Sequence, residues 1–232
     1  MIGFFLLQPP PTDAPKPAAP DFVYDRKVAV GDSQKYEMKM LSSMSGVDVL
    51  LTGKLERKVL GIDPDGTITL SDRWTESLAE ANEVQRKGSD LDLKWTVDRL
   101  GNWMKLEGPD LTTETTKSLQ MIQTVTSLIS PGKAVKEGEN WTVQLQPKAM
   151  KEATFKLDAT YVGVETVGEV ECYRLNLKVE QFAPDNTVSN LKVWLQKSDQ
   201  AVEKLEGTIN RLRYGESKTL IDSHYFLTRV RG

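Results

Sequence analysis

Three blocks of this sequence occur twice, in the same order and roughly a hundred residues apart. The pairs are residues 28–40 with 135–145, residues 60–68 with 162–170, and residues 93–108 with 191–207. Self-similarity at a fixed period indicates one structural unit used more than once. The repeat therefore predicts a single domain over residues 21–232 that consists of two related halves, residues 21–108 and 133–232.

Apolar and polar residues alternate in long runs, which is typical of β-strands with one buried and one solvated face. Leu91, Leu93, Trp95 and Val97 alternate with polar residues, and residues 36–40, 155–161 and 173–179 repeat the pattern. Dipeptides suited to tight turns separate the runs. They are Ser45-Gly46, Asp65-Gly66, Val167-Gly168, Asp185-Asn186 and Tyr214-Gly215. The pattern predicts ten or eleven strands in a mainly antiparallel sheet.

One segment between the two halves has a helical period instead. Its apolar side chains fall on one stripe, made of Leu111, Leu119, Ile122, Val125, Leu128 and Ile129. Asp110 is a suitable N-cap, and Pro131-Gly132 ends the pattern. The stripe predicts a helix over residues 111–130. Because its residues have poor helix propensity, this helix must be held by packing on the sheet.

Residues 201–214 fit two interpretations. Val202, Leu205, Ile209 and Leu212 have a helical spacing, yet the K-L-E-G motif at 204–207 matches the one at 105–108 in the other half. Because the matching segment is a predicted strand and Gly207 weakens a helix, we predict a strand here.

The N-terminus has the layout of an exported protein. Residues 2–7 are apolar, and residues 9–20 hold six of the eleven prolines, so this second part is expected to form an extended tether. We interpret residues 1–20 as the remnant of an export signal and a Pro-rich tether. The predicted location is the cell envelope (periplasm) or the outside of the cell; a disordered tail of a cytosolic protein is the alternative. No stretch approaches the roughly 20 apolar residues of a membrane-spanning helix.

Composition argues against several classes of function. The net charge is −3 and no basic block stands out, which disfavours a nucleic-acid partner. Cys172 and His224 are the only residues of their types, so a zinc site of the Cys/His type cannot be assembled. The sequence contains no recognisable nucleophile, metal-hydrolase or nucleotide-binding motif. We predict no metal, no cofactor and no enzymatic activity, and a hydrolase with a carboxylate pair stays as a minor alternative.

Five tryptophans and seven methionines stand out in this chain. Methionine adapts to apolar ligands, and aromatic side chains often line the concavities that bind them. The predicted ligand-binding residues are Met38, Met40, Trp95, Trp103, Ile122, Val125 and Trp194. The alternative is that these side chains fill an ordinary core beneath a curved sheet.

Two short motifs carry a family resemblance. They comprise Val28, Gly31, Asp32 and Ser33 in the first half, and Val135, Lys136, Gly138, Glu139, Trp141 and Thr142 in the second. With long hairpins around one helix, they resemble uncharacterised exported bacterial β-rich proteins of the lipoprotein-carrier-like superfamily. The resemblance implies a strongly curved antiparallel sheet, a half-barrel or open barrel, with the helix on its concave face. In that superfamily a fatty ligand can replace the helices.

These observations lead to two hypotheses of function. The first is a non-catalytic cell-envelope or secreted protein that binds a lipid or another apolar ligand between the curved sheet and the helix. The second is a structural or protein-interaction module with a filled core and no ligand. The volume beneath the helix is the property that separates them.

Overall fold

Twelve β-strands and one α-helix are formed by the residues that the computed structural model describes, namely 20–44, 46–108, 114–145, 154–182, 185–213 and 219–231. The strands of the first half are β1 (Ser33–Met44), β2 (Val47–Ile62), β3 (Ile68–Ala81), β4 (Val84–Lys87), β5 (Leu91–Val97) and β6 (Trp103–Glu107). Helix α1 (Glu114–Val125) follows. The second half contains β7 (Asn140–Leu145), β8 (Phe155–Val167), β9 (Val170–Gln181), β10 (Val188–Gln196), β11 (Val202–Arg213) and β12 (Leu220–Val230).

All twelve strands belong to one antiparallel sheet with the order β6-β5-β3-β2-β1-β12-β11-β10-β9-β8-β7, and the short β4 pairs with β3 beside this path. The first and last strands, β1 and β12, pair with each other and join the two meanders. Edge strands β6 and β7 do not pair with each other in the described part of the chain, so the sheet is open. The predicted open antiparallel sheet is confirmed, with twelve strands instead of ten or eleven.

The repeated sequence blocks occupy similar places in the two meanders. Residues 60–68 contain the β2–β3 turn, and residues 162–170 contain the β8–β9 turn. Residues 202–213 form a strand, as the K-L-E-G match predicted. The turn at Tyr214-Gly215 lies outside the described residues. The duplication itself, and the two halves drawn from it, remain predictions.

One face of the sheet is apolar across both meanders. Partners directly opposite each other in an antiparallel pair point to the same face. The register sets Tyr36 opposite Leu55 and Leu205 opposite Leu227, and all four side chains are buried. The same alternation continues through the outer strands, and we call this apolar side the inner face.

Helix α1 packs on the inner face, where Ile122 and Val125 belong to the main core cluster. It ends at Val125, five residues before the predicted end at residue 130. Side-chain hydroxyls explain the early stop, because they bond to carbonyls of the last turn and compete with further helical bonds. The Thr126 hydroxyl donates to the Ile122 carbonyl at 2.8 Å, and the Ser127 hydroxyl donates to the carbonyl of residue 123.

Candidate functional site

The helix and the residues after it are held to the sheet by polar as well as apolar contacts. The Ser189 hydroxyl of β10 donates to the Val125 carbonyl at 2.6 Å. The last carbonyls of a helix have no partner within it, so a sheet side chain that binds one fixes the end of the helix. Ser118, Thr124 and Ser127 are also buried on this side. The interface between helix and inner face is therefore mixed in polarity.

Two tryptophans at opposite edges of the sheet bind the same short segment. On edge strand β6, the indole nitrogen of Trp103 donates to the Ser127 hydroxyl at 2.7 Å. On edge strand β7, the indole nitrogen of Trp141 donates to the Ile129 carbonyl at 3.1 Å. We call residues 126–135 the seam segment, because they bridge the gap between the two edges.

These two contacts require a strongly curved sheet. Ten strand spacings separate β6 from β7, so a flat sheet would hold them about 48 Å apart. The residues that accept the two indole bonds are two positions apart, which spans at most about 7 Å of chain. The edges can both reach the seam segment only if the sheet curls toward its inner face, and we infer that helix α1 lies on the concave side.

Backbone contacts complete the seam. The amide of Ser130 donates to the Leu100 carbonyl, just before β6, at 2.8 Å. Phe22 and Val135 form an isolated antiparallel bridge with two backbone hydrogen bonds of 2.8 Å. The Phe22 ring is fully buried and contacts the rings of Trp141 and Tyr161. The open side of the barrel is thus covered by chain segments and not by strand pairing.

The structure brings six of the seven predicted ligand-binding residues to the inner face or the helix. Met40, Ile122 and Val125 are in the main core cluster with Met38 packed against it, while Trp95 and Trp103 belong to a second cluster near β6. Their rings form a T-shaped pair with centroids 4.5 Å apart. Ligand binding by these residues remains a prediction.

Trp194 lies on the other face of the sheet. Its ring lies between the Lys204 ammonium, 4.9 Å from the ring centroid, and the Arg174 guanidinium at 5.8 Å. Its indole nitrogen donates to the Glu165 carboxylate at 2.9 Å. In β10 the side chains of Val193 and Leu195 point to the inner face, so the side chain of Trp194 between them points to the opposite face. Trp194 therefore does not share a surface with the other six predicted ligand-binding residues.

A buried ion pair interrupts the apolar inner face and was missed by the sequence prediction. Arg57 on β2 binds Asp72 on β3 through two hydrogen bonds of 2.7 and 2.6 Å, and the Asp72 side chain is fully buried. Burial alone would lower the pKa of Arg57, but the charge of Asp72 raises it above the usual value. Burial raises the pKa of the neighbouring Tyr225, and Arg57 opposes this shift. Along their strands, Arg57 and Asp72 occupy positions that alternate in step with buried residues such as Leu55. This alternation is visible in the sequence and could have placed both side chains on the inner face.

A cavity of about 520 Å³ lies beside the seam segment. Its lining combines apolar with charged residues, which are Val28, Ile68 and Leu100, the cations Arg26, Arg99 and Lys133, and the acidic Asp25. Neither arginine has an acidic partner in the described part of the chain. The cavity therefore offers an apolar wall next to two guanidinium groups that can pair with an anion.

Among the described residues we find neither a candidate metal site nor a reactive thiol. No group of three or more His, Cys, Asp or Glu side chains that could hold a metal ion occurs among them. Cys172 is fully buried, and burial raises the pKa of its thiol to about 11. Such a thiol is protonated at neutral pH and is a poor nucleophile. No helix in this part of the protein is long and apolar enough to span a membrane.

Comparison with known proteins shows the fold and not a sequence family. No family model matches the sequence, and no curated protein matches it. A structure of lipovitellin that concerns lipid–protein interactions matches 88% of this chain with a TM-score of 0.53 and 9% identity. This chain spans 26% of the lipovitellin chain. The similarity covers nearly all of the present chain and concerns the fold.

Two further solved structures are among the neighbours. A DUF1329 family protein from Desulfovibrio piger matches at 9% identity with a TM-score of 0.24, over 87% of this chain and 85% of its own. A LolA superfamily protein from Nitrosomonas europaea matches at 10% identity with a TM-score of 0.21, over 87% of each chain.

Proposed function

We propose that this protein is a non-catalytic binding protein of the cell envelope, or a secreted one, that takes up an acyl chain between helix α1 and the inner face. The observation that carries the proposal is the mixed polarity of the interface between the helix and a sheet face that is largely apolar. Among the described side chains of residues 118–130, Ile122, Val125 and Ile129 are the buried apolar ones, while Ser118, Thr124, Ser127 and Ser130 are buried and polar.

The energies of burial make an exchange between helix and ligand feasible. Three fully buried aliphatic side chains give about 5–9 kcal/mol before entropy is subtracted. A sixteen-carbon chain gives about 0.8 kcal/mol per buried CH₂, or roughly 12 kcal/mol in total. An acyl chain on the inner face can therefore replace the burial that the helix loses. The lipovitellin match supports the proposal, because that structure concerns lipid–protein interactions in the same fold.

The cavity beside the seam segment indicates that the ligand carries a negative charge. Arg26 and Arg99 stand at its rim without acidic partners, and the cavity lies at the chain segment that covers the open side of the barrel. A carboxylate or phosphate at this rim would pair with one or both guanidinium groups. The proposed ligand is therefore an anionic amphiphile such as a long-chain fatty acid.

Two measurements test this function. Lipids are extracted from the natively purified protein and identified by mass spectrometry, and the delipidated protein is then titrated with palmitate against an apolar fluorescent dye. We expect co-purified acyl lipid, and displacement of the dye by palmitate more readily than by 1-hexadecanol. A protein that carries no lipid and takes up neither dye nor palmitate would contradict the proposal.

The tight packing around the helix favours a second candidate, a protein-interaction module with a filled core. Ile122, Val125 and Ile129 are at most 5% exposed, and none of the three lines either the groove on the other face of the sheet or the cavity beside the seam segment. The same lipid extraction separates the candidates, since a filled core predicts a protein free of lipid. The proposed location outside the cytosol rests on the apolar stub and Pro-rich tether of the sequence.

A further inference from the structure

A groove crosses the second meander on the face opposite the helix. Its volume is about 870 Å³, and it runs over strands β7 to β12. Six strands cover about 24 Å across the sheet, which is long enough for several rings of a linear chain. The side chains that face this groove, such as Asn176 and Lys192, lie on the side of the sheet opposite the helix, so what they bind is independent of the proposed function.

The backbone is irregular in the strands that carry this groove. At Gly207 on β11, a Cβ atom would collide with the carbonyl oxygen of Asn190 on β10, so the backbone conformation there requires glycine. The ladder also shifts register at bulges in β8 and β11. Bulges bend a strand, and a strand glycine often marks a close approach of backbones.

The charges that line the groove are already paired. Among the lining residues, Asp158 binds Lys156, Lys178 binds Glu180, and Lys192 faces Glu206, with separations of 2.7, 2.6 and 3.9 Å. A groove whose cations and anions neutralise each other has little preference for an ionic ligand. This pattern argues against a phosphate chain, a nucleic acid or an acidic peptide.

The uncharged polar groups in the groove are available for a ligand. The side-chain amides of Asn176 and Asn190 make no hydrogen bond with other described residues, and the Asn140 amide oxygen accepts one from the Thr160 hydroxyl at 2.6 Å. The carboxamide of asparagine offers both donors and an acceptor. In the sheet Asn176 lies opposite Thr160, so a row of amides and hydroxyls runs across the strands. Such a row matches hydroxyl groups, which also donate and accept.

An aromatic ring stands at the other end of the groove. Phe226 on β12 is 39% exposed, and His224 is exposed two residues away on the same face. A flat apolar ring beside polar groups suits a ligand that has an apolar face and a polar edge. We propose that this groove binds a neutral oligosaccharide, with the amide row on its hydroxyl groups and Phe226 against the face of one ring.

Isothermal titration with maltohexaose, cellohexaose and chitohexaose tests the proposal. We expect at least one hexasaccharide to bind, with an affinity that changes little between 50 and 500 mM salt because no ion pair is formed. Phe226→Ala should weaken that binding about tenfold, a change of about 1.4 kcal/mol. Phe182→Ala is the matched control, because Phe182 is 54% exposed and lies outside the groove, and it should leave the affinity within about twofold.

A second variant guards against a folding defect. Asn176 is exposed on the groove wall, so Asn176→Leu should keep the thermal unfolding temperature and still weaken binding by about tenfold through the loss of its hydrogen bonds. The proposal is overturned if none of the three hexasaccharides binds below about 5 mM. It is also overturned if binding survives both variants, or if an anionic oligosaccharide binds and salt abolishes that binding.

Discussion

Val125→Ala is predicted to weaken the fold and strengthen ligand binding at the same time. Val125 is fully buried against the inner face at the end of helix α1. The substitution removes the equivalent of two CH₂ groups, about 1.6 kcal/mol at 0.8 kcal/mol each, and the space left behind raises the cost to about 2 kcal/mol. Urea denaturation followed by circular dichroism should show a free energy of unfolding lower by that amount.

The same change should raise the affinity for palmitate. If the acyl chain takes the place of the helix, the free energy that holds the helix in place is part of the cost of binding. A reduction of that cost by about 2 kcal/mol raises the apparent affinity about thirtyfold, since each 1.4 kcal/mol is a factor of ten. The measurement is displacement of an apolar dye by palmitate, for the variant and the unchanged protein in parallel.

Val59→Ala is the matched control. Val59 is 3% exposed in the second core cluster, away from helix α1, and loses the same two groups. It should lower the free energy of unfolding by a similar amount and leave the affinity for palmitate unchanged. If Val125→Ala destabilises the protein but its affinity is equal to or below that of the control, the ligand does not displace the helix and the reasoning is refuted.

Three further predictions concern other contacts of the inner face and the seam. Arg57→Met should lower the free energy of unfolding by about 3–5 kcal/mol, because it leaves the buried carboxylate of Asp72 uncompensated, and Asp72→Leu in the same chain should restore most of it in urea denaturation. Trp141→Phe keeps a ring but loses the bond to the Ile129 carbonyl, so urea denaturation should show a loss of about 1 kcal/mol; an unchanged value would contradict that bond. Arg99→Gln should reduce the preference for palmitate over 1-hexadecanol in the dye assay, and an unaltered preference would remove the anionic end from the proposal.

The strands could be predicted because their side chains alternate locally. In β8 the inward residues Phe155, Leu157, Ala159 and Tyr161 are all buried, and each is separated from the next by one polar residue. That period is visible in the sequence without knowledge of any partner strand. The helix was predicted for the same reason, although the hydroxyls of Thr126 and Ser127 stop it earlier than the apolar stripe suggests.

Contacts between strands could not be predicted in the same way. The ion pair of Arg57 and Asp72 depends on the β2–β3 register, which two bulges modify. The seam depends on where Trp103 and Trp141 end up once the whole sheet has curled. Trp194 was among the predicted ligand-binding residues, yet the alternation of side chains in β10 points it to the other face.

Hydrogen exchange of the helix amides is the most direct test of whether the ligand displaces the helix. The amides of residues 118–125 should exchange faster when the protein is saturated with palmitate, because a released helix of 12 residues is not stable alone in water. The amides of β9, beneath the helix, should stay protected in both states. Helix amides that exchange at the same rate or more slowly with palmitate bound would show that the ligand leaves the helix in place, and would contradict the account.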